Sequence, residues 1–177
     1  DEMAWSASAL DYYAEIGRHS IGTIHGTATA GQTHFTVKEA MGTVVIVLPA
    51  NFPILLLMWS AAAALAAGNS VIVKPSENAS LSTLAFMEGF DELEPGLVQC
   101  VPGGAEAAKQ LVGHPDTHMV AFTGSVPTGR AVARTCADTF KPFLIEASGS
   151  DSFIVMPSAP IEVAARAATF AAFLNCG

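Results

Sequence analysis

Four short stretches carry residue types from which a site for chemistry could be built. Glu146 ends the apolar run Leu144-Ile145, and a carboxylate buried in such a place can have its pKa raised toward the range of a general base. A strand-end cap or an ion pair would use the same residue structurally. Asn51 lies in Pro49-Ala50-Asn51-Phe52-Pro53, where two prolines stiffen the backbone and suit an uncharged amide that must donate to one fixed point. The same amide could simply cap a helix that starts at Pro53. Lys74-Pro75-Ser76-Glu77-Asn78 sets a cation and a carboxylate three residues apart in a turn, able to hold the two hydroxyls of a ribose or to form a solvated ion pair. Phe122-Thr123-Gly124-Ser125, followed by Gly129, is a small turn entering a helix, whose free N–H groups favour phosphate unless Ser125 caps them. The G-x-G-x-x-G fingerprint is absent.

The elements around these stretches must place them together. From Thr43 onward, apolar runs alternate with helical patterns. Strands are expected at Val44 to Leu48, Ser70 to Val73, Leu97 to Val101, His118 to Phe122, Phe143 to Ile145 and Phe153 to Met156. Helices are expected after Pro53 and up to Gly68, then near Leu81 to Phe90, Ala105 to Val112, Pro127 to Ala137 and Ile161 to Leu174. Short connections between strand and helix imply a parallel sheet with helices on both faces, hence an α/β fold. Ligands of such sheets sit beyond the carboxyl ends of the strands, where the four stretches fall. Upstream, Asp1 to Ile16 predicts an amphipathic helix, and Ile21 to Lys38 an extended, hairpin-like excursion.

Composition narrows the function classes. The chain of 177 residues is 51% hydrophobic, 14% charged and carries a net charge of −8, with its eight basic residues scattered, which excludes a nucleic-acid partner. Cys100, Cys136 and Cys176 form no C-x-x-C pair, and a reduced, cytoplasmic setting is expected. His114 and His118 are the nearest pair of possible metal ligands, but Pro115 between them disfavours the helix that would align them, so no metal site is expected. No charge occurs between Glu39 and Lys74. Yet the helical run from Ile54 to Ala67 spans roughly 21 Å against the ~30 Å of a hydrocarbon core, which argues for burial rather than a membrane span. The acidic start, Asp1-Glu2, is unlike a secretory signal.

Taken in order and at these spacings, the P-x-N-F-P loop, the K-P-S-E turn, the F-T-G-S turn and the glutamate segment resemble the aldehyde dehydrogenase superfamily along essentially the whole chain. The resemblance implies a Rossmann-like domain over 41–177 that binds NAD, with NADP as an alternative. It is preceded over 1–40 by a helix and the strands of an oligomerisation arm, and a homo-dimer or homo-tetramer is expected. It places Pro49, Lys74, Ser76, Glu77, Phe122, Thr123, Gly124 and Ser125 at the cofactor, with Lys74 and Glu77 on the adenosine ribose and Gly124 and Ser125 on the pyrophosphate. Asn51 becomes the oxyanion donor. Glu146 becomes the base that activates water against a thioacyl-enzyme formed from an aldehyde substrate.

Two departures stand out. Ala147-Ser148-Gly149-Ser150 replaces the family's usual Leu-Gly-Gly-Lys, and Ala50 stands where many members carry an aromatic residue. Asn175-Cys176-Gly177 resembles the start of the family's N-x-G-Q-x-C segment, so the nucleophilic cysteine is expected a few residues beyond Gly177. On that expectation the chain lacks the catalytic domain and is inactive alone. Two other readings remain: an acylating or phosphate-linked semialdehyde reductase, which would not need Glu146, and a non-catalytic dinucleotide-binding module.

Overall fold

Val44, Val45, Ile46 and Val47 are consecutive buried residues, the pattern of a β-branched strand covered on both faces. The computed structural model, which describes residues 2–19 and 22–176, places them in β3 (Thr43–Val47) at the centre of the sheet. Before it come α1 (Glu2–His19) and a short antiparallel hairpin of β1 (Ile24–His25) and β2 (His34–Phe35). Asp1, Ser20 and Ile21, at the edges of these two predicted segments, lie outside the described residues. After β3 follow α2 (Pro53–Ala66), β4 (Ser70–Lys74), α3 (Ser80–Met87), β5 (Val98–Cys100) and α4 (Ala105–Gly113). Then come β6 (Met119–Gly124), α5 (Val126–Ala137), β7 (Phe143–Ala147) and α6 (Ile161–Phe173). The five strands β5-β4-β3-β6-β7 are parallel throughout, as the alternation predicts.

Period-two alternation divides the core. Val44, Ile46 and Leu48 face one side, where they pack with Leu57, Met58 and Ala61 of α2, Phe86 of α3 and Ala9 of α1. Val45 and Val47 face the other, against Val112 of α4 and Val132 and Cys136 of α5. Helices therefore cover both faces. At the end of α2, Gly68 takes φ 83 and its N–H donates to the Leu65 carbonyl at 2.9 Å, a left-handed stop that a side chain would strain. Buried Asn69 then accepts from the N–H groups of Met41 and Gly42 at 2.7 and 3.0 Å and donates to the Ala64 carbonyl at 3.0 Å, tying the helix end to the start of β3.

Phe153 to Met156 form no strand. All four are exposed and belong to no ladder, so β7 remains the edge strand of the sheet. Apolar β-formers satisfy the sequence pattern, but a strand also needs a neighbour. His114 and His118 serve the backbone: their Nδ1 atoms accept from the N–H groups of Asp116 at 3.1 Å and Thr43 at 3.0 Å. No helix among the described residues is long and apolar enough to cross a membrane.

Lys141 is a buried cation that joins α4 to the α5–β7 connection. Its Nζ donates to the carbonyls of Val112 and His114 at 2.6 and 2.8 Å and to Thr117 Oγ1 at 2.7 Å, which uses all three of its protons at a helix carboxyl end. Burial pulls its pKa below the ordinary lysine range, while these acceptors favour the charged form. Lys141→Met keeps the stem and leaves the acceptors unpaired. It should lower stability by roughly 1–3 kcal/mol, read as a lower urea midpoint with an unchanged slope.

Candidate functional site

In a parallel sheet every strand ends on the same edge, so the loops after β3, β4, β6 and β7 are neighbours by construction. The chain runs outward from β3 in one direction to β4 and β5, then returns to the other side as β6 and β7. The helices after β3 and β6 leave toward opposite faces, and a crevice opens between them. A cavity of about 680 Å³ occupies that crevice, walled by Pro49 and Asn51 after β3, Thr123, Gly124 and Ser125 at and after β6, and Glu146 of β7. Lys74, Ser76, Glu77 and Phe122 are not on its wall. Asn78, Ser148 and Asn175 are, and sequence reasoning assigned them no role.

Asn51 does not cap α2. The N-cap position of α2 is Phe52, which offers no side-chain cap, and the exposed Asn51 amide makes no side-chain hydrogen bond among the described residues. Its carbonyl instead accepts from Asn175 Nδ2 at 2.9 Å, a contact across 124 positions that no local pattern could reveal. Ser125 does cap: its Oγ accepts from the Thr128 N–H at 3.4 Å and lies 2.9 Å from Thr128 Oγ1. With Thr128 engaged and Pro127 lacking an N–H, Val126 is left as the donor in the first turn of α5 with no partner among the described residues. Capping and anion binding thus divide the same helix end between them.

Phe122 is buried and acts from below. A Cβ on Gly124 would meet its ring at 2.8 Å and one on Gly129 would meet Ile145 at 3.1 Å, so both glycines let α5 and the crevice floor settle onto the sheet. At the end of β4, Lys74 is buried and its Nζ lies 3.7 Å from Glu77 Oε2, whose side chain is 61% exposed and free to meet a ligand. Ser76 accepts from the Asn78 N–H at 3.4 Å and starts the 3₁₀ turn Glu77–Ala79. That turn presents Asn78 to the crevice.

Glu146 is exposed, not buried as the sequence reading supposed, because the end of β7 is open on the side facing α1 and α2. The altered turn behind it is held nonetheless: the Ser148 N–H and Oγ both donate to the Gly124 carbonyl, at 3.1 and 3.4 Å, extending the β6–β7 ladder past Ala147. A second cleft, about 400 Å³, lies beside the crevice and is walled by Trp5, Phe52, Leu55, Leu56 and Trp59. Asn51, Thr123 and Glu146 line both spaces. A polar crevice and an apolar cleft therefore meet at one amide, one hydroxyl and one carboxylate. Cys100 and Cys136 are on neither wall, and burial pushes both thiols up, away from the reactive thiolate form.

A doubly wound parallel sheet with a glycine-bearing turn at its reversal defines a Rossmann-like nucleotide-binding domain. The model of the aldehyde dehydrogenase family matches residues 1–177, and the chain belongs to that family. It is 34% identical to geranial dehydrogenase of Castellaniella defragrans over 99% of its own length and 37% of that protein's. Its structure superimposes on that of 3,6-anhydro-L-galactose dehydrogenase, solved in complex with NADP, with a TM-score of 0.90 and 34% identity, covering 99% of this chain and 38% of that one. The match to PnpE in complex with nicotinamide adenine dinucleotide has a TM-score of 0.90 at 32% identity, over 98% of this chain and 36% of the other. The chain thus spans little more than a third of the length of these relatives.

Gly124 tests the crevice floor. In Gly124→Ala the new methyl must displace a buried aromatic ring, which should cost roughly 1–3 kcal/mol of stability by overpacking and weaken dinucleotide binding as the turn lifts. Thermal melting and titration with NAD and NADP check both effects. An unchanged affinity would place the nucleotide away from this turn.

Proposed function

We propose that the protein carrying this chain oxidises an aldehyde to a carboxylic acid, with the crevice between β3 and β6 holding NAD and the adjoining apolar cleft holding the aldehyde's carbon chain. The observation that carries this reading is the junction of the two spaces at Asn51, Thr123 and Glu146. Hydride transfer requires donor carbon and acceptor ring to touch, and that junction is where a ligand in the crevice and one in the cleft would do so. The residues present suit a dinucleotide. Gly124 lets the backbone approach a pyrophosphate, the Val126 N–H and the amino end of α5 supply its counter-charge, and Lys74 with Glu77 can hold ribose hydroxyls. The exposed Glu77 carboxylate would repel a 2′-phosphate, which favours NAD over NADP. When bound, the nicotinamide accepts the hydride.

The chain's own groups then have separate tasks. The Asn51 amide, without a side-chain hydrogen bond among the described residues and on the wall of both spaces, would donate to an aldehyde oxygen gaining negative charge there. The resemblance implies that in the whole enzyme a cysteine thiolate attacks the carbonyl carbon and is acylated once hydride has left. Glu146, exposed to both spaces, accepts a proton from the water that attacks the thioester; the C–S bond breaks, the carboxylic acid leaves and the cysteine is restored as the thiolate. The apolar wall of Phe52, Leu55, Leu56 and Trp59 suits an aliphatic or aromatic aldehyde rather than a charged one.

Glu146→Gln in the full-length enzyme, assayed with hexanal, separates these tasks. Proton abstraction matters only after hydride transfer. A burst of NADH near one per active site should therefore persist while the steady state slows by about 10²-fold or more, within the usual range for loss of a general base. The burst should be larger with NAD than with equimolar NADP. Loss of the burst in a folded variant would exclude Glu146 as the deacylation base.

A further inference from the structure

The loop that carries Asn51 is anchored by the helix that opens the fold. Pro53, the first residue of α2, has no N–H, and Phe52 before it has no side-chain acceptor, so the first free donors of the helix are the N–H groups of Ile54 and Leu55. Both residues are buried. Both donate to one atom, Glu2 Oε1, at 2.8 and 3.0 Å, although Glu2 lies 52 and 53 positions upstream. A carboxylate here also opposes the partial positive charge of the helix end. α1 adds a second hold one turn later, where the Trp5 ring lies 6.3 Å from that of Phe52, the residue directly after Asn51. α1 is itself seated, with Ala9 in the core.

We infer that Glu2 is a positioning residue for Asn51: it closes the first turn of α2 in place of a local cap, and so fixes where the loop before that turn aims its amide. The inference rests on the reading of Asn51 as the oxyanion donor. A structural cap would affect folding alone, whereas a positioning residue must act on the reaction through Asn51 and lose its influence once that amide is gone.

A double-mutant cycle on the burst rate of NADH formation in the full-length enzyme, with NAD and hexanal, makes that distinction. Asn51→Ala should slow the burst by about 10²–10³-fold. Glu2→Ala should slow it by about tenfold to a hundredfold at unchanged NAD affinity, the scale expected when a catalytic group is misplaced by up to 1 Å. The double variant should be no slower than Asn51→Ala. Glu2→Gln keeps an acceptor oxygen and should recover most of the rate. If Glu2→Ala does not fold, Glu2→Asp, with the charge kept and the reach shortened, takes its place in the cycle. Additive losses, or a normal burst rate in a folded Glu2 variant while Asn51→Ala is slow, would overturn the role of Glu2 and leave that of Asn51 standing. A normal burst rate in Asn51→Ala would overturn both.

Discussion

β3 is bonded on both edges, to β4 and to β6, and covered on both faces, so it has almost no freedom to move. Everything at the site refers to it. Its carboxyl end delivers Pro49 and Asn51, its neighbour β4 delivers Lys74, and its neighbour β6 delivers Thr123 and Gly124. Because the ladders are parallel and in fixed register, Val47 pairs with Lys74 on one side and Phe122 on the other, and the three loops emerge level. The crevice exists because α2 and α5 leave these strands for opposite faces. No side chain has to hold it open.

Around that rigid strand the loops are held by long-range polar contacts. The Asn51 loop is fixed by Glu2 and Trp5 from α1 and by Asn175 from the other end of the chain. The β7 end is fixed by Ser148 on the Gly124 carbonyl. The polar groups nearest the junction are left uncommitted: the Asn51 amide makes no side-chain hydrogen bond among the described residues and Glu146 is exposed, whereas Ser125 is spent on its cap and Lys74 and Phe122 are buried. Rigid backbone with unspent side chains is the condition under which donors can serve a ligand rather than the fold.

The sequence was informative wherever local chemistry decides the outcome. A continuous apolar run marks the doubly covered β3, Pro53 and Gly68 bracket α2, and Ser125 three residues before Thr128 marks the cap of α5. It was uninformative wherever a partner lies far along the chain. Asn51 has every local feature of a cap, yet the cap is Glu2, because the residue adjoining the helix is Phe52 and the acceptor arrives from another helix. Phe153 to Met156 have the composition of a strand and no neighbour to bond. Glu146 follows two apolar residues, but its exposure depends on how far α1 and α2 extend over β7, which composition does not encode.

The proposed function requires a dinucleotide at the reversal between β3 and β6. Hydrogen exchange of the full-length protein with and without saturating NAD tests it directly, because the amides concerned belong to separate loops. A dinucleotide in the crevice should slow exchange at residues 50–51, 77–78 and 123–126 together, with β3 itself already protected in both states. Protection confined to the face walled by Trp5 and Trp59, or no difference between the two states, would contradict it.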